Sequence, residues 1–272
     1  MDNIFVKKIL LISLFLFASP LLAASDDNSN AKPTTSLEVL WDGKFIAGQP
    51  ISGTIIIRDI KSGDVFSNDS LIFNNKRKIH LLIIDPTLKD HHHIHPEPAA
   101  TPFAFNFTFT PKFSNSYRIW ADITPVTTGK QELISGWIGD KESSFIERRV
   151  SNKASMNGYN FVLSFDKNPK NGQTSIANVY ITDYDNKPVQ WSAEPYKQYS
   201  TAEIANIIGF YDDNVHAIKA SQILDPQYLI INSDGPDVKF KIEPKQSGFI
   251  KMFMQITLGG KEMFVPFAFY VE

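Results

Sequence analysis

The sequence predicts an all-β protein made of two tandem copies of one strand-rich unit, folded as sandwiches or barrels. Phenylalanine occupies every second position from Phe103 to Phe109, a period of two that would bury one face of a sheet. Similar short runs, separated by turn residues, recur at 55–57, 80–84, 117–121, 179–181, 207–210, 239–242 and 264–271. Many short strands at this spacing are typical of all-β sandwiches and barrels.

An internal repeat supports two copies. The dipeptide Gly48-Gln49 returns as Gly172-Gln173, at an offset of 124 residues, and Pro111-Lys112 returns as Pro244-Lys245, at an offset of 133 residues. Several matched segments occur in the same order in both copies. The repeat also favours a strand over a helix at 204–210, because its counterpart at 79–84 has a clear strand pattern.

The chain begins with features of a cleaved signal peptide at 1–24. Lys7 and Lys8 precede an apolar run at 9–17, and small residues follow Pro20. An uncleaved membrane anchor is the alternative, but the apolar run is short for a membrane span. We therefore expect a periplasmic or secreted protein with no later membrane segment. The expected parts are a disordered lead-in at 25–35, a first domain at 36–145, a linker at 146–156 and a second domain at 157–272.

Composition excludes several classes of function. The chain has 272 residues and a formal net charge of −2, which argues against nucleic-acid binding. It has no cysteine, so disulfides, iron–sulfur clusters, thiol nucleophiles and blue-copper centres are excluded. No serine-hydrolase elbow, P-loop or dinucleotide-binding fingerprint is present, and we expect a protein that is not an enzyme.

Five of the six histidines lie between positions 80 and 95. A strand ends at Ile84, and Asp85-Pro86 begins a turn. If residues 85–90 form the loop of a hairpin, Ile84 lies opposite His91. One face of the hairpin would then carry His80, His91, His93 and His95. His92 would project from the other face. A loop of odd length would instead place His80 on the opposite face.

This cluster predicts a metal site. The preferred ligands are His80, His93 and His95, while His91 is nearer the turn and is a weaker candidate. Asp122 is a further candidate, either as a fourth ligand or as a partner that orients a histidine. A solvated polar hairpin without a physiological metal is the alternative. Because imidazole sites generally bind Cu(II) most tightly among these divalent ions, we expect Cu(II), with Zn(II) as the second choice.

The second copy lacks this cluster. At an offset of 126 residues, the counterparts of His80, His93 and His95 are Asn206, Lys219 and Ser221, and at an offset of 133 the counterpart of Asp122 is Gln255. His216 falls near the turn but not at a ligand position. Met252 and Met254 are expected to pack in the core. The sequence therefore predicts one metal site per chain, with the second domain as a scaffold or partner surface.

The first copy's motif resembles that of YtkA-like domains of periplasmic or secreted proteins. The matching residues are Lys78-x-His80, Asp90-x-x-His93-x-His95-Pro96 and Tyr117-x-x-x-Ala121-Asp122. More loosely, the chain is similar to CopC-like copper-binding sandwiches. The resemblance implies two immunoglobulin-like β-sandwich domains and a role in periplasmic metal handling. The alternative function is a tandem sandwich module for adhesion or for binding another periplasmic or surface protein.

Overall fold

The computed structural model of the chain describes residues 32–74, 77–139, 147–190, 202–212, 223–224, 229–231 and 235–272. Regular structure in these residues is almost entirely β-strand, with one short 3-10 helix at Asn68–Ser70. No described helix is long and apolar enough to cross a membrane. The all-β prediction is confirmed, while the predicted signal peptide lies outside the described residues.

Within the described residues, the first sandwich has eight strands in two antiparallel sheets: β1 (Thr35–Trp41), β2 (Ile51–Asp59), β3 (Ile79–Ile84), β4 (His91–Ile94), β5 (Glu97–Pro98), β6 (Phe105–Phe109), β7 (Tyr117–Ile123) and β8 (Glu132–Ile138). One sheet has the order β1-β2-β6-β5 and the other β4-β3-β7-β8. Lettered along the chain, these sheets are A-B-E-D and C′-C-F-G, which is the immunoglobulin arrangement. The expected immunoglobulin-like sandwich is present.

In the part of the chain that the structure describes, the second sandwich follows the same plan with one additional edge strand. Its strands are β9 (Lys153–Met156), β10 (Tyr159–Phe165), β11 (Ser175–Asp183), β12 (Ala202–Asp212), β13 (Ile223–Leu224), β14 (Leu229–Ile231), β15 (Asp237–Ile242), β16 (Gly248–Leu258) and β17 (Lys261–Val271). The sheets have the orders β14-β15-β11-β10-β9 and β13-β12-β16-β17. Strand β12 confirms the strand predicted at 204–210.

Strand registers show that the sequence repeat is a structural repeat. Three cross-strand pairs of the first sandwich have counterparts at the repeat offsets: Ile51–Phe109 with Ser175–Ile242, His80–Asp122 with Asn206–Gln255, and Leu82–Trp120 with Ile208–Phe253. Equivalent positions therefore face each other across equivalent strands in both copies.

Each sandwich encloses its own apolar core. Phe105, Phe107 and Phe109 are buried in the first, as the alternation predicts, but Phe103 precedes β6 and is 50% exposed. Alternation alone does not locate the start of a strand, so the predicted run of buried phenylalanines begins one phenylalanine too early. Met252 and Met254 are fully buried in the second core, as expected.

The linker expected at 146–156 ends earlier than expected, because its last four residues belong to a strand of the second sandwich. Residues 153–156 form β9, which pairs with β10, and Ser151 forms a β-bridge with Ala268. Ala154 and Met156 pack against the second core, and this packing favours a strand over an irregular linker. The disordered lead-in expected at 25–35 also ends earlier than expected. Thr35 already belongs to β1, and its hydroxyl donates a hydrogen bond to Glu132 at 2.7 Å.

A third apolar cluster joins the two sandwiches. Leu82, Ile84 and Trp120 project from the outer face of β3 and β7, and they pack with Phe210 and Phe253 from β12 and β16. Trp120 and Phe253 are 1% and 4% exposed, so the contact excludes water. The face of the first sandwich that carries the histidines therefore lies against the second sandwich.

Candidate metal centre

The turn between β3 and β4 has the six residues that the histidine alignment requires. The Asp85 carboxylate accepts hydrogen bonds from the N–H groups of Thr87, Lys89 and Asp90 at 2.9, 2.7 and 2.7 Å. The resulting register places His91 opposite Ile84 and His93 opposite Leu82. The predicted hairpin is confirmed. An aspartate side chain commonly stabilises a turn by accepting hydrogen bonds from backbone N–H groups in this way.

Three histidines converge at the open end of this hairpin. His80 Nδ1 lies 3.1 Å from His93 Nε2 and 3.1 Å from His95 Nε2. One nitrogen from each ring lies within 4.8 Å of the other two, which is close enough for all three to bind one ion. His80 and His93 are partly buried and His95 is exposed. The preferred ligand set is therefore brought together, with one side open to solvent.

The outer ring nitrogens of two of these histidines have fixed partners. His80 Nε2 donates to the Asn74 backbone carbonyl at 2.9 Å, and His93 Nδ1 donates to Gln255 Oε1 at 2.7 Å. Gln255 Nε2 in turn donates to Glu262 Oε1 at 2.7 Å, which fixes the orientation of the amide. Carbonyl oxygens only accept hydrogen bonds, so both outer nitrogens carry the proton. In the neutral rings, the inner nitrogens therefore present lone pairs.

The surroundings favour neutral imidazole. Burial, followed by the charges of His93, His80 and Arg77, lowers the pKa of His95 to about 4. Burial also lowers the pKa of His93, although its bond to Gln255 acts in the opposite direction. Neutral imidazole is the form that binds metals. At pH 7 these two rings are therefore ready to act as ligands.

His91 lies apart from the three converging rings, although it shares their strand face. Its ring is 5% exposed and packs against Phe210, Phe253 and Phe264 at centroid distances of 5.4, 4.9 and 5.4 Å. Neither ring nitrogen has a hydrogen-bond partner among the described residues, and burial lowers its pKa well below the usual value. His91 therefore contributes to the contact between the sandwiches.

The fifth histidine of the cluster and the carboxylate candidate have different neighbours. His92 projects from the opposite face, as predicted, where its Nε2 donates to Asp90 at 3.0 Å. Asp122 pairs with His80 across β3 and β7, but both of its carboxylate oxygens accept from Gln131, at 2.9 and 3.0 Å. Among the described residues, the group with converging ligand atoms consists of the three histidines without Asp122.

Sequence reasoning missed Asn74 and Gln255 as partners of the ligand histidines. The sequence identifies Gln255 only as the second-copy counterpart of Asp122, yet its side chain contacts His93, 162 residues away in the sequence. No local pattern marks this contact, because it depends on how the two sandwiches pack. In the second copy, Asn206 pairs with Gln255 in the backbone register, while Lys219, Ser221 and His216 lie outside the described residues.

No protein-family model and no curated protein matches the sequence. Among solved structures, invasin, a bacterial integrin-binding protein, aligns at 10% identity and a TM-score of 0.25, covering 88% of this chain and 40% of its own. Trypsin-activated α2-macroglobulin from Escherichia coli aligns at 14% identity and a TM-score of 0.26, covering 90% of this chain and 16% of its own. Red sea bream transglutaminase aligns at 9% identity and a TM-score of 0.22, covering 90% of this chain and 32% of its own. TM-scores of this size extend no property of those proteins to this chain, which spans at most 40% of their length.

Proposed function

We propose that this is an exported metal-binding protein that holds one Cu(II) ion through His80, His93 and His95, and that it buffers or delivers that ion. One observation carries the proposal: two inner nitrogens whose outer nitrogens carry the protons face each other at 3.1 Å. Two facing lone pairs repel unless a cation lies between them. A shared proton or a metal ion satisfies this arrangement, and three converging imidazoles favour the metal.

The spacing of the nitrogens suits a metal ion. Imidazole nitrogens bind such ions at about 2.0–2.1 Å. At that bond length, two nitrogens 3.1 Å apart subtend an angle of roughly 100° at the ion, between square-planar and tetrahedral values. His80 can therefore share an ion with either partner at its existing spacing, and all three rings can share one ion when His93 and His95, which lie within 4.8 Å, are no more than about 4.2 Å apart.

The donor set favours copper over other ions. Affinity for a nitrogen site generally rises along the divalent series to a maximum at Cu(II) and falls again at Zn(II). Without cysteine, the centre would have ordinary type-2 character and would lack the strong thiolate bond of blue copper. Zn(II) is the second candidate, because three histidines with an open position also suit zinc.

Exchange of the ion with a partner is supported by the position of the site. His95 is exposed, so a donor or acceptor protein can approach one side of the centre. On the other side, the second sandwich contacts His93 through Gln255. We propose a periplasmic or secreted location from the signal-like residues at 1–24, because Cu(II) persists more readily outside the reducing cytosol.

Copper titration followed by electron paramagnetic resonance tests the proposal. Chelator-treated wild-type protein should bind one Cu(II) per chain and give a type-2 spectrum with splitting from coordinated nitrogen. Binding of Zn(II) at the same site should displace copper only at excess zinc. Absence of tight binding, or a spectrum without nitrogen coordination, would contradict the proposal.

Replacement of Gln255 with leucine should weaken Cu(II) binding by about 10- to 100-fold, the usual effect of losing a group that orients a metal ligand. Leucine has a similar size but cannot accept the His93 Nδ1 proton, so the ring can rotate or change tautomer. Competition with a coloured copper chelator measures the change. The matched control is Gln131→Leu, which removes a glutamine outside the cluster. Equal copper affinities of the two variants would show that Gln255 does not position His93.

A further inference from the structure

A second site lies at the junction of the two sandwiches, on the side of the turn between β3 and β4. It is a cavity of about 400 Å³ with three walls. The turn contributes Lys89, the connecting segment contributes Arg149, and the second sandwich contributes Lys153 from β9 with Phe249 and Lys251 from β16. Small-molecule sites usually have volumes of about 300–1,000 Å³, so this open cavity has room for a compact ligand.

The cavity is strongly positive in a chain whose net charge is −2. Four of the residues that line it are cationic, and one, Glu147, is acidic. Glu147 lies 3.7 Å from Lys89, and both side chains are 55% exposed, so this ion pair is loose. Among the described residues, no ion pair is formed by Arg149, Lys153 or Lys251.

Among these four cations, Lys251 gives the clearest indication that the cavity holds an anion. Its side chain is partly buried in the first half of β16, and its Nζ lies 6.0 Å from the ring centroid of Phe253. Burial, followed by the positive charge of Lys89, lowers its pKa, and Glu147 only partly opposes this. A partly buried ammonium beside a second cation is unfavourable without a counter-charge. An anion in the cavity would supply that counter-charge.

We propose that this cavity binds a small, multiply charged oxyanion, a compound with two or more phosphate or carboxylate groups. Arg149 suits bidentate contact with such a group, and the lysines provide charge around it. The four cations come from both sandwiches and from the segment between them, so the ligand would contact all three. The site involves none of the three converging histidines, and the proposal is independent of metal binding.

Isothermal titration calorimetry of the metal-free full-length chain with pyrophosphate, and separately with citrate, tests the proposal. We expect one molecule of at least one probe to bind per chain, with an affinity that falls as salt screens the cavity. The probe that binds more tightly identifies phosphate or carboxylate as the preferred group. Absence of one-to-one binding by both probes would overturn the proposal.

Variants locate the binding. Lys251→Gln, and separately the double variant Arg149→Gln/Lys153→Gln, should each weaken binding at least about 10-fold, since each removes charge–oxyanion hydrogen bonds. The double variant changes exposed residues and so does not depend on the tolerance of β16 to substitution. Lys241→Gln, at an exposed lysine outside the cavity, is the control and should bind like wild type. Equal binding by all of these variants would exclude the cavity as the site.

Discussion

Replacement of His93 with alanine should lower the affinity for Cu(II) by about 100-fold or more. His93 supplies an inner nitrogen 3.1 Å from His80 Nδ1, and its outer nitrogen connects the site to Gln255 in the second sandwich. The substitution therefore removes a ligand together with the contact that positions it, and losing the positioning contact alone typically costs 10- to 100-fold. Competition with a coloured chelator measures the affinity, and circular dichroism shows whether the metal-free variant is folded.

Two further variants separate ligand loss from structural damage. His95 is exposed and has no hydrogen bond to the second sandwich among the described residues, so His95→Ala should weaken copper binding without lowering the free energy of unfolding. Asp122→Asn changes the candidate whose carboxylate accepts from Gln131 and should leave the affinity within about twofold. If Asp122→Asn weakens binding as much as His95→Ala, the ligand set must include Asp122.

The parts of the fold that could be predicted from sequence depend on periodicity and on the repeat. Alternation of apolar residues predicts which faces are buried, and the strand assignment at 204–210 came from its counterpart at 79–84. The boundaries are less accurate, as Phe103 and the strand Lys153–Met156 show. Strand ends depend on which residues find a partner strand, and a single-chain pattern does not contain that information.

The candidate site could be predicted where it depends on one hairpin and not where it depends on tertiary packing. Loop length and strand pairing placed His80, His93 and His95 on one face because these are local properties. His91 shares that face but is enclosed by three phenylalanines of the second sandwich. That contact, like the one between Gln255 and His93, follows from how the sandwiches dock, and no spacing in the sequence encodes it.

Asp90 lies directly before β4, the strand that carries the histidines. Among the substitutions considered, its replacement should lower the free energy of unfolding most. The carboxylate is fully buried and accepts hydrogen bonds from His92 at 3.0 Å, from the Lys112 N–H at 2.8 Å and from the Tyr117 hydroxyl at 2.7 Å. Asp90→Ala would leave these donors without an acceptor. We expect the free energy of unfolding to fall by about 3–5 kcal/mol, measured by urea denaturation at pH 7. Asp42→Ala, at an exposed aspartate, is the control and should change it by less than about 0.5 kcal/mol.

The same carboxylate predicts how stability depends on pH. Burial alone would raise the pKa of Asp90, but the hydrogen bonds from His92, Lys112 and Tyr117 outweigh it and lower the pKa from 3.8 to about 2. Because the folded protein binds this proton less readily than the unfolded chain, Asp90 stabilises the fold above pH 3.8. That contribution, about 2 kcal/mol, should disappear as the pH falls from about 4 to 2. Urea denaturation across this range should show a steeper loss of stability for wild type than for Asp90→Ala. Equal slopes would mean that the Asp90 carboxylate has the same pKa in the folded and unfolded chains.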